Sequence, residues 1–435
     1  MELWTASLVL LVVMVMLLGM GVWIGLALLG VACVAFLAYA DVPLAQIIAT
    51  TYWGSSASWG LSSLPLFILM GEVLFRTRLA RDVFEGLAPW MRFLPGRLVH
   101  VNVIGCGIFA AVSGSSAATA ATIGKITLPE LLRRGYDRDL AIGSLAGAGT
   151  LGLLIPPSIV MIVYGVAAEV SIGHLFVAGV VPGLLLMALF SGYIAARSLV
   201  GRPVQAGDGD ERLASWAGAW TSLRKLAPVV ALIASVIATL YAGIATPTEA
   251  ASFGVAGALA ISLLTGSLTR SSFMESLRGA VKTTSMIGLI LASAAVLSTA
   301  MGFLGIPRSI AAAIGQWGLG PYGLIVALTL LYVVLGCFLD GISMIVLTTA
   351  VLLPIVKAAG LDLVWFGIFL ILVVEMSCIT PPVGFNLFVV QGLTGQSIGT
   401  VARASLPFFV LMIAAVAIIT VFPDVVLGLP RRMSP

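Results

Sequence analysis

Apolar runs of about twenty residues follow one another along this chain with few charges between them, and this restricts the fold more than any single motif does. A run of that length crosses the hydrocarbon core of a bilayer as a helix. Inside lipid every backbone N–H and C=O must also find its partner within the protein. Spans are expected at Leu3–Gly19, Val22–Ala40, Leu61–Arg76, Leu140–Ala168, Leu175–Leu199, Leu226–Gly243, Glu249–Leu268, Ser285–Leu304, Val364–Gly392 and Val401–Phe422. Of the residues, 60% are hydrophobic and 9% charged, where a soluble domain carries about 25% charged. An all-α integral membrane protein with many crossings is expected. The first run follows Glu2 and has neither a basic n-region nor a small-residue cleavage site, so it reads as a span and not as a signal peptide.

Several function classes drop out. The 22 Lys and Arg residues sit in short loops, where they read as a topology signal and not as a nucleic-acid surface. Cys33, Cys106, Cys337 and Cys378 lack metal-ligand spacing and read as packing residues. His100 and His174 lie far apart near span ends, and no Ser/His/Asp or metal-ligand cluster shares a depth, so no enzyme is expected. The string TIGKIT (Thr122–Thr127) has Thr119 where a P-loop needs Gly and Ile126 where it needs Ser or Thr, which excludes ATP hydrolysis by that route.

Positive charge orients the spans. Arg76, Arg78, Arg81, Arg92 and Arg97 form one basic block, and Lys125, Arg133, Arg134 and Arg138 the next. A single crossing over His100–Leu131 would put the blocks on opposite sides. A helical hairpin that enters from the cytoplasm and returns keeps both inside. Its middle, AVSGSSAAT (Ala111–Thr119), is small and polar, and Gly114 can turn the chain. Counting onward places Arg197, Arg202, Arg212, Arg224 and Lys225 in a cytoplasmic joint, Gly201–Arg224, and Arg270, Arg278 and Lys282 inside again; Arg431 and Arg432 alone fall on the wrong side.

Pro156–Pro157 breaks one apolar run, and Pro381–Pro382 stands 225 positions later in another. The same offset relates Pro129 to Pro354, Gly135 to Gly360, and Asp137 to Asp362. It carries the first tip, Ser113–Ser116, onto Phe338–Gly341, which makes Tyr322–Val356 a second hairpin, entered from the opposite side. Two repeats of opposite orientation, each a hairpin followed by a broken helix, follow the logic of secondary transporters. Breaks at mid-membrane free carbonyls that can replace the hydration shell of a small cation, and half-helix N-termini favour an anionic group. Asp340, at a predicted tip, is an intramembrane acid and a candidate for ion or substrate work. Glu375, five residues before the second break, reads equally as a ligand and as a cap or pair. Glu72 and Lys125 read as snorkelling or paired, and Asn386 as a side-chain ligand or a packing hydrogen bond.

The stretch FAAVSGSSAATAATIGKITLPELLRRGYDRDLAIGSLAGAGTLGLLIPPSIVMIVYG, with GCFLDGISMIVLTTAVLLPIV and VEMSCITPPVGFNLFVVQG, resembles the large membrane subunit of tripartite ATP-independent periplasmic (TRAP) transporters. LPLFILMGEVLFR and HLFVAGVVPGLLL extend the likeness over nearly the whole chain. The resemblance implies an inverted-repeat, elevator-type transporter in the bacterial inner membrane, driven by a Na⁺ gradient. It also implies a small integral-membrane subunit and a periplasmic binding protein that delivers an organic acid. Scaffold segments would be 1–98, 169–321 and 393–435, and transport segments 99–168 and 322–392. Carried over, the Na⁺ sites would involve Ser113, Gly114, Ser115, Ser116, Pro156 and Ser158 on one side. On the other they would involve Asp340, Gly341, Ser343, Thr380, Pro381 and Gly384. The substrate would lie between the tips, near Ser115, Ser116, Ser343 and Asn386. The small subunit, fused in some relatives, has no counterpart in this sequence, so a separate chain must supply it. Many members carry an acid shortly after the Gly–Ser pair, where this chain has Thr119, a departure that changes the charge balance of the first site. The competing reading is a channel or ion exchanger on the same repeat, without a binding protein.

Overall fold

The computed structural model describes residues 2–40, 42–76, 79–91, 93–200, 216–316, 320–336, 339–381 and 384–433. Arg78, Arg92, Arg202, Arg212, Cys337, Phe338 and Pro382 lie outside them, as does most of the polar joint. All regular structure among the described residues is helical. Among the described residues four helices are individually long and apolar enough to cross a membrane: Ile172–Val200, Pro247–Leu264, Arg270–Phe303 and Ile398–Val421. Three bent pairs pass the same test together, among them Arg138–Leu154 with Ile159–Ala167, bent by 43°. Large apolar side chains such as Leu11, Trp23, Leu37, Leu184 and Leu264 face outward, as they do where lipid is the solvent.

The expected spans have helical counterparts, with two differences. Leu44–Ser56 is a helix that the sequence reading leaves blank, because LAQIIATTYWGSS is too polar to register as a span. It joins Trp59–Phe75 at a 51° bend. In the second half one unbroken helix of 34 residues, Arg270–Phe303, occupies the corresponding stretch and runs beyond the expected Ser285–Leu304.

The 225-residue offset turns out to relate local structure, and not only letters. Gly135 and Gly360 both adopt left-handed backbone, with φ of 74° and 72°, just after the helices Ser116–Arg133 and Gly341–Ala358. Asp137 then caps the next helix through Leu140 N–H at 2.7 Å, and Asp362 caps its counterpart through Val364 and Trp365 N–H at 2.8 and 3.0 Å. Pro129 and Pro354 both lie inside their return arms. The short helices Leu79–Met91 and Ile306–Gln316 also correspond.

Small residues let the helices close on one another. A Cβ at Gly143 would overlap the Ala404 carbonyl oxygen, and one at Gly147 would come within 2.6 Å of Phe408 Cβ, so Arg138–Gly149 lies directly against Ile398–Val421. The halves are also joined by Tyr164, whose hydroxyl donates to the Leu363 carbonyl at 2.7 Å. Arg76 ties its own helix to Arg270–Phe303 by pairing with Glu72 at 3.3 Å and Glu275 at 2.6 Å, which gives Glu72 the paired role expected of it. Arg431, one of the two arginines on the wrong side of the charge count, is paired with Asp424 at 2.6 Å.

Candidate functional site

The first tip is built by Gly114, whose φ of 56° ends His100–Ser113 and reverses the chain. Ser115 adopts extended backbone and caps Ser116–Arg133 by accepting from Ala118 N–H at 3.4 Å. The hydroxyls of Ser113 and Thr119 share a hydrogen bond of 2.7 Å, so the threonine that departs from the expected pattern is fully buried and tied into the tip. The two arms pack on each other.

The tip sits on the first break. A Cβ at Gly114 would meet Ile159 N at 3.3 Å, and one at Gly152 would come within 2.5 Å of Ser116 N. Just after Gly152 the chain runs through Ile155–Ser158 without helix, and Pro156 and Ser158 are buried. Ser158 Oγ is buried and has no hydrogen-bond partner among the described residues, although Ser158 stands at the N-terminus of Ile159–Ala167. The first tip and the first break thus meet where Gly114 approaches Ile159 and Ser116 approaches Gly152.

The second tip differs. Its arms pack on other elements, Pro321–Leu335 on Leu363–Ser377 and Gly341–Ala358 on Arg270–Phe303 and Ile306–Gln316, and the Tyr332 and Thr348 hydroxyls link them. Asp340 caps Gly341–Ala358: its carboxylate accepts from Ile342 N–H at 3.2 Å, Ser343 N–H at 3.3 Å and the Ser343 hydroxyl. Gly341 lies against the other half as well as its own, since a Cβ there would be 2.9 Å from Val374 Cγ1 and 3.3 Å from Leu153 Cδ1. At the second break Gly384 N–H donates to the Thr380 carbonyl at 3.0 Å, and the Thr380 hydroxyl is turned back to Met376 O at 2.7 Å. Pro381 is exposed.

Near the breaks, two further oxygens lack partners among the described residues. Asn386 is buried and donates to the Ala146 carbonyl at 3.4 Å, leaving its Oδ1 unbonded. Glu375, wholly buried, accepts through Oε1 from the Ser116 hydroxyl and from Leu153 N–H at 2.8 Å, leaving Oε2 unbonded. Sequence reasoning weighed Glu375 evenly and kept it out of the site. The only signal for it was an acid inside an uninterrupted apolar run. The larger of the two described cavities, about 310 Å³, lies beside Pro156 but is apolar, lined by Ile108, Ile155, Met187, Val230 and Ile233 among others. What the junction offers chemically is a set of buried hydroxyl and carboxylate oxygens from both halves of the chain.

Comparison with known proteins shows the family. Residues 10–425 match the family described as tripartite ATP-independent periplasmic transporter, DctM component. The chain is 33% identical over 392 residues to the C4-dicarboxylate TRAP transporter large permease protein DctM of Pseudomonas aeruginosa, covering 89% of this chain and 90% of that one. It is 32% identical to the isethionate TRAP transporter permease protein DctMQ of Oleidesulfovibrio alaskensis, covering 94% of this chain and 63% of that protein. In fold it is similar to the Alcanivorax borkumensis YdaH transporter, with a TM-score of 0.60 at 14% identity and 89% of each chain covered. The chain belongs to the large permease (DctM) family of tripartite ATP-independent periplasmic transporters.

Proposed function

We propose that this chain is the permease of a Na⁺-coupled importer in the bacterial inner membrane. It works with a small integral-membrane subunit and a periplasmic binding protein that delivers an organic acid. The cargoes in the relatives' names, C4-dicarboxylates and isethionate, are organic acids. This chain covers 63% of the DctMQ relative. One observation carries the coupling: Ser158 Oγ, buried and without a hydrogen-bond partner among the described residues, stands at the break that the first small polar tip packs on. An unsatisfied buried oxygen is costly unless a ligand completes it, and Na⁺ supplies that completion.

In this reading the hairpins enter the membrane and return. The first Na⁺ is held by Ser113, Gly114, Ser115, Ser116, Pro156 and Ser158, and the second by Asp340, Gly341, Ser343, Thr380, Pro381 and Gly384. Ser115, Ser116, Ser343 and Asn386 face the substrate between them. Segments 99–168 and 322–392 move as the transport domain against the scaffold of 1–98, 169–321 and 393–435, carrying the loaded site across.

The test is thermal stability of the purified chain with its small partner across a Na⁺ titration, with K⁺ and choline at matched ionic strength. A ligand bound only by the folded state raises stability by about 2.7 kcal/mol at a hundredfold excess over Kd. A Na⁺-specific rise is expected. An equal rise with K⁺, or none, overturns the sodium coupling and leaves the fold and family untouched.

A further inference from the structure

Glu375 belongs to the second half and spends its Oε1 on two donors of the first, the Ser116 hydroxyl and Leu153 N–H, which are 259 and 222 positions away in sequence. Leu153 lies in the short helical segment just before the first break, and Ser116 opens the return arm of the first tip. One residue earlier on the same helix, Val374 presses on Gly341 of the second tip, and the Leu153 side chain touches the same glycine position. Glu375 thus holds the backbone of a residue whose side chain reaches the other tip. We propose that Glu375 is a positioning residue that clasps the two tips to one another, so that an ion bound at one half-site sets the geometry of the other. The energetic coupling rests on the sodium reading above; the clasp itself does not.

Two donors that lose a buried acceptor together are left unsatisfied, so the junction loosens at both segments at once. Glutamine at this position keeps an acceptor oxygen in place for both donors, and alanine keeps none. The discriminating readout is hydrogen–deuterium exchange on the full-length chain with its small partner, in Na⁺-free buffer, over peptides covering 113–119 and 150–158. With Glu375→Ala, exchange in both peptides is expected to rise by about tenfold while peptides from 247–264 are unchanged, and with Glu375→Gln it stays within about threefold of the parent. Ser116→Ala removes one donor and leaves the backbone contact, and is expected to fall between the two. It also serves if the Glu375→Ala chain does not fold.

The second arm is the Na⁺ titration of the same variants. Sites coupled through the clasp bind with a Hill coefficient above one, which is expected to fall to about one in Glu375→Ala and to be retained in Glu375→Gln. Unchanged exchange in both peptides for Glu375→Ala, or equal loosening in Glu375→Gln, overturns the clasp. A parent chain whose stability ignores Na⁺ overturns the sodium reading instead, and the exchange arm still decides the clasp.

Discussion

The Asp340 carboxylate accepts from two backbone N–H groups at the start of Gly341–Ala358 and from the Ser343 hydroxyl, so the same side chain serves as a helix cap and as the proposed ion ligand. These duties can be separated. Asparagine caps a helix about as well as aspartate, whereas alanine costs about 1 kcal/mol at that position. Asp340→Asn is therefore expected to match the parent in Na⁺-free melting and to lose the Na⁺-induced rise, and Asp340→Ala to lose both. A normal Na⁺ response in Asp340→Asn would remove the charge from the proposed site. Legibility at this scale was uneven. The turn at Gly114 and the break at Pro156–Pro157 were readable, because a small polar run around a glycine announces the one and doubled prolines the other. Glu375 was not, because what distinguishes a ligand from a pair is its neighbours, and these come from the other half of the chain.

At the scale of helices, close approach is controlled by single hydrogens. Gly143 has the Ala404 backbone oxygen where a Cβ would stand, whereas Gly192 has open space around it. Backbone cannot step aside as a flexible side chain can. Gly143→Ala is expected to lower the thermal midpoint severely and broaden the size-exclusion profile, and Gly192→Ala to leave both close to the parent, with helix propensity gaining up to about 1 kcal/mol. Equal behaviour of the two variants would mean that Arg138–Gly149 and Ile398–Val421 are not held at this distance. The elements themselves were legible wherever apolar length, proline or glycine marked them, as the shared caps Asp137 and Asp362 and the left-handed pair Gly135 and Gly360 illustrate. Leu44–Ser56 was invisible because its helicity depends on packing against Arg270–Phe303, and a local window of Thr, Gln, Gly and Ser does not contain that partner.

Across the whole molecule the halves are bound by buried contacts that do not pass through the polar joint: Tyr164 to Leu363, Gly143 to Ala404, and Glu375 to Ser116 and Leu153. A chain divided within 201–215 and expressed as two pieces is therefore expected to co-purify at about one to one from a tag on either piece. Two well-expressed pieces that separate on purification would show that continuity of the chain, and not the interface, keeps them together. The offset of 225 also places Thr150 opposite Glu375, and Gly341 opposite Ser116. The Glu375 carboxylate and the Ser116 hydroxyl are thus each present in only one half, and their contact is made once. A half-length protein pairing with an identical copy must repeat every contact by symmetry. Joining two copies into one polypeptide lifts that obligation, and at this junction the permease has specialised one copy to give the hydrogen bond and the other to receive it.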